Sequence, residues 1–453
     1  MATQRLVVIG GDAAGMAAAS EARRQRPNLD IVALERGRWT SYSACGIPYL
    51  VAGEVHDLDQ LVVRSPQVFR DQHHIDARVG QEAVAVDLDA GKVDVRDHNH
   101  RRNYRLGFDQ VLFATGAMPR RPDLPGIDGA HVYGVQTLHD GVTLLDRARA
   151  GGVQTVVVVG GGYIGLEMAE AFSQRGCDVT VVEQGSEVMP ALDPDMGALV
   201  SRSMRAIGIE VRCGEVVEAI EETDVITGSG AVPADLVVLG MGVRPNSALA
   251  QEAGVLTGDA EGIVVDVRQR TEAPHAWAAG DCCESFHLVS RRSVHVALGT
   301  VANKQGRVAG VNIGGGYATF PGVLGTAATR LCATEIARTG LTEAQASDAG
   351  LEAVTATVES TARAGYMPEP GSMVVKVVAE RRSGRLLGAQ IVGGEGAAKR
   401  IDVFATALTA TMTVEDMVAL DLSYHPAFGP VWDPVLIAAR KAWAAVERGE
   451  STN

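Results

Sequence analysis

Aromatic residues make up only 4% of this 453-residue sequence, against 52 glycines. Many tight βα turns over a core of small residues produce that bias. No block of lysine and arginine occurs, and the formal charge is −14. This excludes nucleic acid as a partner, because neutralised phosphates supply most of such affinity. Small anions remain open, since helix N-termini and local arginines can hold them. No run approaches the ~20 apolar residues of a membrane span. The first apolar strand starts at Arg5 or Leu6, leaving no room for a signal peptide. The six cysteines, at 45, 177, 213, 282, 283 and 332, show neither metal spacing nor a disulfide framework. The sequence therefore predicts no metal site and a reducing, cytoplasmic setting.

What is present is a repeated nucleotide-binding unit. Residues 5–10 form an apolar run ending in glycine, an Ala-rich stretch continues to about Arg26, and a second apolar run ends at Glu35. That order predicts a right-handed βαβ unit. The unit recurs from Thr155 to Glu183, so the two copies read as two Rossmann-like domains. In the second copy Gly160, Gly162 and Gly165 give GxGxxG between strand and helix. The first glycine permits the tight turn, the second lets backbone approach a pyrophosphate, and the third lets helix pack on strand. Glu183 follows Gly165 by 18 positions, where an acid accepts from a ribose 2′-OH and repels a 2′-phosphate. NADH is favoured over NADPH. The first copy, Gly10 to Gly15, has Asp12 in place of the middle glycine, and Glu35 stands 20 positions after Gly15. Ala114-Thr115-Gly116 and Gly280-Asp281 read as further strand-end turns, the latter offering a carboxylate to polyol hydroxyls.

Residues 80–114 predict a small β-meander, with Gln110–Ala114 as one strand. Residues 232–244 and 263–281 look strand-rich and return the chain to the first domain. Strands at Val354–Glu359, Met373–Ala379 and Leu387–Val392, then helices at 395–411 and 433–447, predict a C-terminal α+β domain. The expected fold is α/β, with two Rossmann-like dinucleotide-binding domains and this third unit. The expected segments are 1–148, 149–245, 246–321 and 322–453, the first and third forming one domain.

Cys45 carries the chemistry. A dithiol reductase would place a second cysteine nearby, but Leu50 occupies the position five residues on. Cys45 can therefore store reducing equivalents only by pairing with an external group, as a mixed disulfide, persulfide or sulfenic acid. The residues after it can open a helix, whose N-terminus lowers a thiol pKa. The bland alternative is a small buried hydrophobe. The adjacent Cys282 and Cys283 read as structural, because vicinal cysteines rarely bond without backbone strain.

Taken in order, GxxxxG with Glu35, Cys45, ATG at 114–116, GGGYIGLE at 160–167, GVRPN at 242–246 and AAGD at 278–281 resemble the pyridine nucleotide-disulfide oxidoreductases. The single cysteine is similar to the branch of coenzyme A-disulfide reductases, NADH oxidases and NADH peroxidases. Residues 421–434 look most like the coenzyme A-disulfide reductases. The resemblance implies FAD at the first motif, with Glu35 on its adenosine ribose and Asp281 on its ribityl chain. It implies NADH at the second, with Tyr163 over the flavin, swinging away when nicotinamide enters, and Glu167 beside the nicotinamide. It implies a head-to-tail homodimer whose dimerisation domain is the C-terminal unit. Tyr424 and Tyr366 of one chain would then assist Cys45 of the other, with His425 a candidate general base. Arg23, Arg24 and Ser41 match positions facing coenzyme A phosphates, although Glu21 would repel a polyanion.

The expected reaction is reduction of a low-molecular-weight disulfide or persulfide by NADH through Cys45. The alternatives are an NADH oxidase or peroxidase that cycles Cys45 through sulfenic acid, an electron-transfer flavoprotein of the ferredoxin-reductase kind, and a non-catalytic NADH-binding redox sensor. Relatives in the oxidase and peroxidase group carry a histidine in the first glycine loop, and this chain has Ala13 there.

Overall fold

Five short apolar runs, far apart in sequence, line up as one parallel sheet at the N-terminal end of the chain. The computed structural model describes residues 4–448; residues 1–3 and 449–453, the outer ends of the first and last expected segments, lie outside the described residues. The sheet order is Ala276–Ala278, Gln110–Phe113, Arg5–Ile9, Asp30–Glu35, Asp76–Val79. Arg5–Ile9 sits at its centre with Leu6, Val7 and Val8 fully buried, as a strand covered on both faces requires. The helix Ala13–Gln25 follows it, and small residues let it pack closely against Gly299–Ile313. A Cβ at Gly306 would stand 2.3 Å from the Ala14 carbonyl oxygen.

A second parallel sheet repeats the plan, in the order Glu210–Cys213, Asp178–Glu183, Thr155–Val159, Leu236–Leu239, Val132–Gly134. Its last strand precedes residue 149, so the chain enters this sheet before the point the sequence suggested. Each parallel sheet has a small antiparallel companion: Gln81–Asp87, Lys92–Asp97 and Arg102–Gly107 for the first, Val217–Ile220, Asp224–Thr227 and Gly230–Pro233 for the second.

Three details differ from the sequence reading. Gln110–Phe113 is not part of the meander; it is a parallel strand beside Arg5–Ile9. Leu236–Leu239 stays in the second sheet, and the return begins at Val243–Pro245, which pairs antiparallel with Ala117–Pro119. Between 263 and 281 the regular strand is only Ala276–Ala278, because the Asp266 carboxylate folds the chain into a turn by accepting from the N–H groups of Arg268 and Arg270.

The C-terminal unit is a five-stranded antiparallel sheet, ordered Ala327–Leu331, Thr334–Gly340, Leu386–Gly393, Ser372–Glu380, Ala353–Thr361. Helices Ile401–Thr409 and Pro434–Arg448 bury Ala337, Ala389 and Ile391 on one face. The other face meets the second Rossmann-like domain, where Ile336 and Val392 join the core of Val158, Leu166 and Met168. Among the described residues no helix is long and apolar enough to cross a membrane.

Candidate active site

The two glycine loops are built alike. In the first, a Cβ on Gly15 would lie 2.0 Å from the Gly10 carbonyl oxygen; in the second, a Cβ on Gly165 would lie 2.0 Å from that of Gly160. Gly10 and Gly160 both take positive φ, 113° and 99°. The acid at the end of each second strand closes its loop. Glu35 accepts from the N–H of Gly11 at 2.8 Å and of Gly37 at 2.6 Å. Glu183 accepts from Gly161 and Gly185, both at 2.7 Å. Each carboxylate is thereby fixed at the strand end with lone pairs remaining for a ribose.

Asp281 follows the strand Ala276–Ala278 and the turn at Gly280, which has φ 88°. Its Oδ1 is buried without a hydrogen-bond partner. Burial pushes this carboxyl up to about 6. A buried acceptor left unpaired costs free energy, so it marks a place for a polyol hydroxyl. The Gly280 N–H donates to Gln305 at 2.8 Å, which ties the turn to the long helix Gly299–Ile313. Thr115 and Gly116 join the return crossing: Thr115 Oγ1 donates to the Asn246 carbonyl at 2.5 Å, and the Asn246 N–H donates to Gly116 at 2.9 Å.

Asp12, which stands in place of the motif's middle glycine, is a structural link. Its Oδ1 accepts from the N–H of Tyr42 at 3.1 Å, and the Ser41 N–H donates to Gly11 at 2.9 Å. The segment leading to Cys45 is thus pinned to the first glycine loop. Burial above all, with Glu35 and Asp281 adding repulsion, pushes Asp12 up to about 7.

Cys45 lies in a 3-10 turn, Ala44–Gly46, ahead of the short helix Ile47–Ala52. It is an exposed free thiol, and Leu50, five positions on, is buried. Glu167, Asp281 and Asp12 all act on it electrostatically. Groups from the first glycine loop, the Gly280-Asp281 turn and the second domain therefore converge on one sulfur. The expected depression of the thiol pKa is not what the protein provides. Partial desolvation raises it, Glu167 raises it further, and a backbone hydrogen bond offsets only part. A six-residue helix opposed by three carboxylates does not prevail.

On the second domain, Tyr163 opens the helix Tyr163–Gln174. Its hydroxyl is buried and unpartnered, and burial pushes the phenol up to about 12. Glu167, one turn on, accepts from Thr329 Oγ1 at 2.7 Å, and burial raises its carboxyl.

Tyr366 and Tyr424 lie in two loops of the C-terminal unit, 76% and 51% exposed, and Tyr424 is near enough to push the Tyr366 phenol up. One guanidinium shapes both loops. Arg400 Nε donates to Asp433 at 3.0 Å, and its remaining nitrogens donate to the carbonyls of Gly396, Ala362 and Phe428 at 2.7, 3.0 and 2.7 Å. The Ala364 N–H also donates to Pro426 at 3.0 Å. His425 is held within its own loop: Nδ1 accepts from the Ala427 N–H at 3.2 Å, and the ring lies 5.4 Å from Phe428.

The three residues matched to coenzyme A phosphates are not drawn together by side-chain bonds. Arg23 donates to the carbonyls of Pro27 and His74, and Arg24 pairs with Glu21. That pairing matters for Glu21: burial raises its carboxyl, but the hydrogen bonds from Arg24 and Gln25 prevail and hold it low. Ser41 takes a left-handed φ of 48° at the bend before Cys45. Cys282 and Cys283 are buried free thiols with sulfurs 3.8 Å apart, hydrogen-bonded and without a disulfide.

Two dinucleotide folds, a carboxylate with an unpaired oxygen and an exposed thiol meet in this region of the chain. The pyridine nucleotide-disulphide oxidoreductase family matches residues 4–306, and its dimerisation domain matches residues 326–434. The chain belongs to this family. It is therefore an oxidoreductase that works with FAD and NAD(P)H. The NAD(P)H sulfur oxidoreductase (CoA-dependent) of Pyrococcus abyssi is 38% identical over 440 residues, covering 96% of this chain and 97% of that protein. The NAD(P)H coenzyme A polysulfide/persulfide reductase of Pyrococcus horikoshii is 37% identical over 442 residues, covering 96% and 98%. An NAD-dependent persulfide reductase from A. fulgidus superposes with a TM-score of 0.95 at 37% identity, covering 98% of this chain and 84% of that one.

Proposed function

We propose that this enzyme reduces a low-molecular-weight disulfide or persulfide of the coenzyme A type, with Cys45 as its only sulfur nucleophile. The observation that carries the reading is the placement of Cys45: an exposed thiol acted on by Asp281 of the first domain and Glu167 of the second, with Leu50 rather than a second cysteine five positions on.

FAD, when bound, supplies two-electron transfer from a nicotinamide to sulfur. Gly10, Gly15, Glu35, Thr115, Gly116 and Asp281 hold that cofactor. Gly160, Gly162, Gly165 and Glu183 hold the nicotinamide dinucleotide, and the acid at 183 favours NADH. Tyr163 and Glu167 line the space between the two.

Cys45 thiolate attacks one sulfur of the substrate. A new S–S bond joins Cys45 to one half, and the other half leaves as a thiolate that takes a proton. Tyr424 and Tyr366 are the proton donors of choice, because both present an exposed phenol hydroxyl from neighbouring loops. They serve the partner's site in a head-to-tail homodimer. Exposed Phe428, Val431 and Trp432 beside Tyr424 give that face the apolar character an interface needs. Asp12 holds the Cys45 segment to the glycine loop, which keeps the sulfur in register with both nucleotides.

The test is a single turnover without NADH. The holoenzyme with oxidised flavin and Cys45 as the free thiol, incubated anaerobically with coenzyme A disulfide, should release one equivalent of coenzyme A and carry the other half as a mixed disulfide on Cys45. Release without a protein adduct, or an adduct on another cysteine, would remove Cys45 from the mechanism.

A further inference from the structure

The sheet face against the nicotinamide domain carries a row of polar side chains where apolar ones would be ordinary. Arg338, Gln390 and Lys376 stand side by side across three neighbouring strands, Arg338 opposite Gln390 and Gln390 opposite Lys376. All three are buried, at 9%, 1% and 5% exposure. At one end of the row Lys376 meets Asp193, Asp195 and Glu343 at 3.2, 2.9 and 3.3 Å. In the middle Gln390 exchanges two hydrogen bonds with Asp193, at 2.7 and 2.6 Å. These contacts lock the N-terminal end of the helix Pro194–Ala206 to the sheet.

The other end of the row is unfinished. One terminal nitrogen of Arg338 donates to the Gly340 carbonyl and to Gln345, but its Nε–H is buried with no acceptor. Strand residues two apart share a face. Arg338 therefore points the same way as Ile336, whose core includes Leu166 and is packed against by Tyr163. The Tyr163 hydroxyl is the other buried orphan at this junction, and the two groups act on each other electrostatically. A buried donor and a buried acceptor, each unpaired and on facing surfaces, have a stable arrangement in which they meet.

We propose that Arg338 is the latch for Tyr163: its Nε–H donates to the phenol oxygen once that ring has turned out of the nicotinamide pocket. The proposal rests on Tyr163 bordering that pocket and not on the sulfur chemistry of Cys45. Arg338 is a positioning residue, because it touches neither nucleotide and acts through the ring. The latch sets how readily the pocket opens, so part of the affinity for the nicotinamide comes from a residue of the C-terminal unit. The polar row makes this possible by holding Arg338 rigidly relative to the second domain.

The experiment is a double-mutant cycle on the FAD-loaded protein, with NAD+ binding followed by calorimetry, so no turnover at Cys45 is needed. Arg338→Met and Tyr163→Phe should each weaken NAD+ binding roughly tenfold, the size of one hydrogen bond to a charged donor. The double variant should be no weaker than either single one, because both remove the same bond. Gln345→Ala, which removes a contact to the guanidinium's terminal nitrogen together with the helix cap at Thr342 but leaves Nε untouched, should bind NAD+ as the wild type does. Additive losses in the double variant, or an equal loss in Gln345→Ala, would assign Arg338 to structure alone. Should Arg338→Met fail to retain FAD, Tyr163→Phe decides the matter: wild-type NAD+ affinity in that variant overturns the latch. A chain that passes this cycle but fails to transfer sulfur would leave the latch standing and remove the Cys45 reading.

Discussion

The twin glycine loops permit a matched pair of substitutions with opposite outcomes. Alanine at Gly165 would place a methyl group 2.0 Å from the Gly160 carbonyl oxygen, and alanine at Gly15 would do the same to Gly10. Cβ atoms essentially never come closer than 3.0 Å to such a neighbour. The helix must therefore retreat by about 1 Å, which costs about 1–3 kcal/mol of overpacking strain and shifts the N–H groups that face a pyrophosphate. A displacement of that size at a binding site can cost about 100-fold in rate. Gly165→Ala should keep FAD but lose roughly 100-fold in the rate of flavin reduction by NADH, measured anaerobically by stopped flow. Gly15→Ala should instead be purified without its flavin. The reasoning is refuted if Gly165→Ala reduces its flavin at the wild-type rate, or if both variants fail in the same cofactor.

Asp12 and Asp281 both have raised carboxyl pKa values in the folded chain, near 7 and 6. The folded state then holds protons that the unfolded state has released. The FAD-free protein should lose stability as pH rises from about 4 through 6 to 7, by on the order of 3 kcal/mol for each group. Asp281→Asn should flatten its share of that slope, and a melting temperature that rises over the same interval would contradict the assignment. Glu167→Gln removes the carboxylate that pushes Cys45 upward, so alkylation of Cys45 at pH 8 should speed up, and unchanged kinetics would discount Glu167. Arg400→Met breaks a largely buried pair with Asp433 and frees both tyrosine loops. It should cost about 3–5 kcal/mol in unfolding free energy and weaken self-association on sedimentation, whereas flavin reduction by NADH should be spared.

The nucleotide loops were legible in the sequence because their demands are local. A glycine that must admit a helix, and an acid at the end of the next strand, declare themselves by spacing alone. Leu50 likewise announced the missing second thiol, and the structure buries it. The strands Ala327–Leu331 and Thr334–Gly340 were not legible: Ala-Ala-Thr-Arg-Leu has weak strand preference, and Glu335 and Arg338 interrupt the apolar stripe. Arg338 left one faint trace, a charge two residues from Ile336 on what should be the buried face. The pKa of Cys45 was beyond reach, because three carboxylates from positions 12, 167 and 281 meet only in the fold. The role of Asp12 was out of reach for a related reason. Its partner, the Tyr42 N–H, is 30 residues away and carries no sequence signal.

The central claim is that reducing equivalents leave through Cys45 to a sulfur acceptor. The most direct measurement is NADH consumption by purified holoenzyme, wild type beside Cys45→Ser, with coenzyme A disulfide, coenzyme A persulfide, peroxide and oxygen each as the sole acceptor. Fast turnover with the sulfur acceptors that the serine variant loses is the predicted result. Equal rates in both proteins, or turnover confined to peroxide and oxygen, would contradict it.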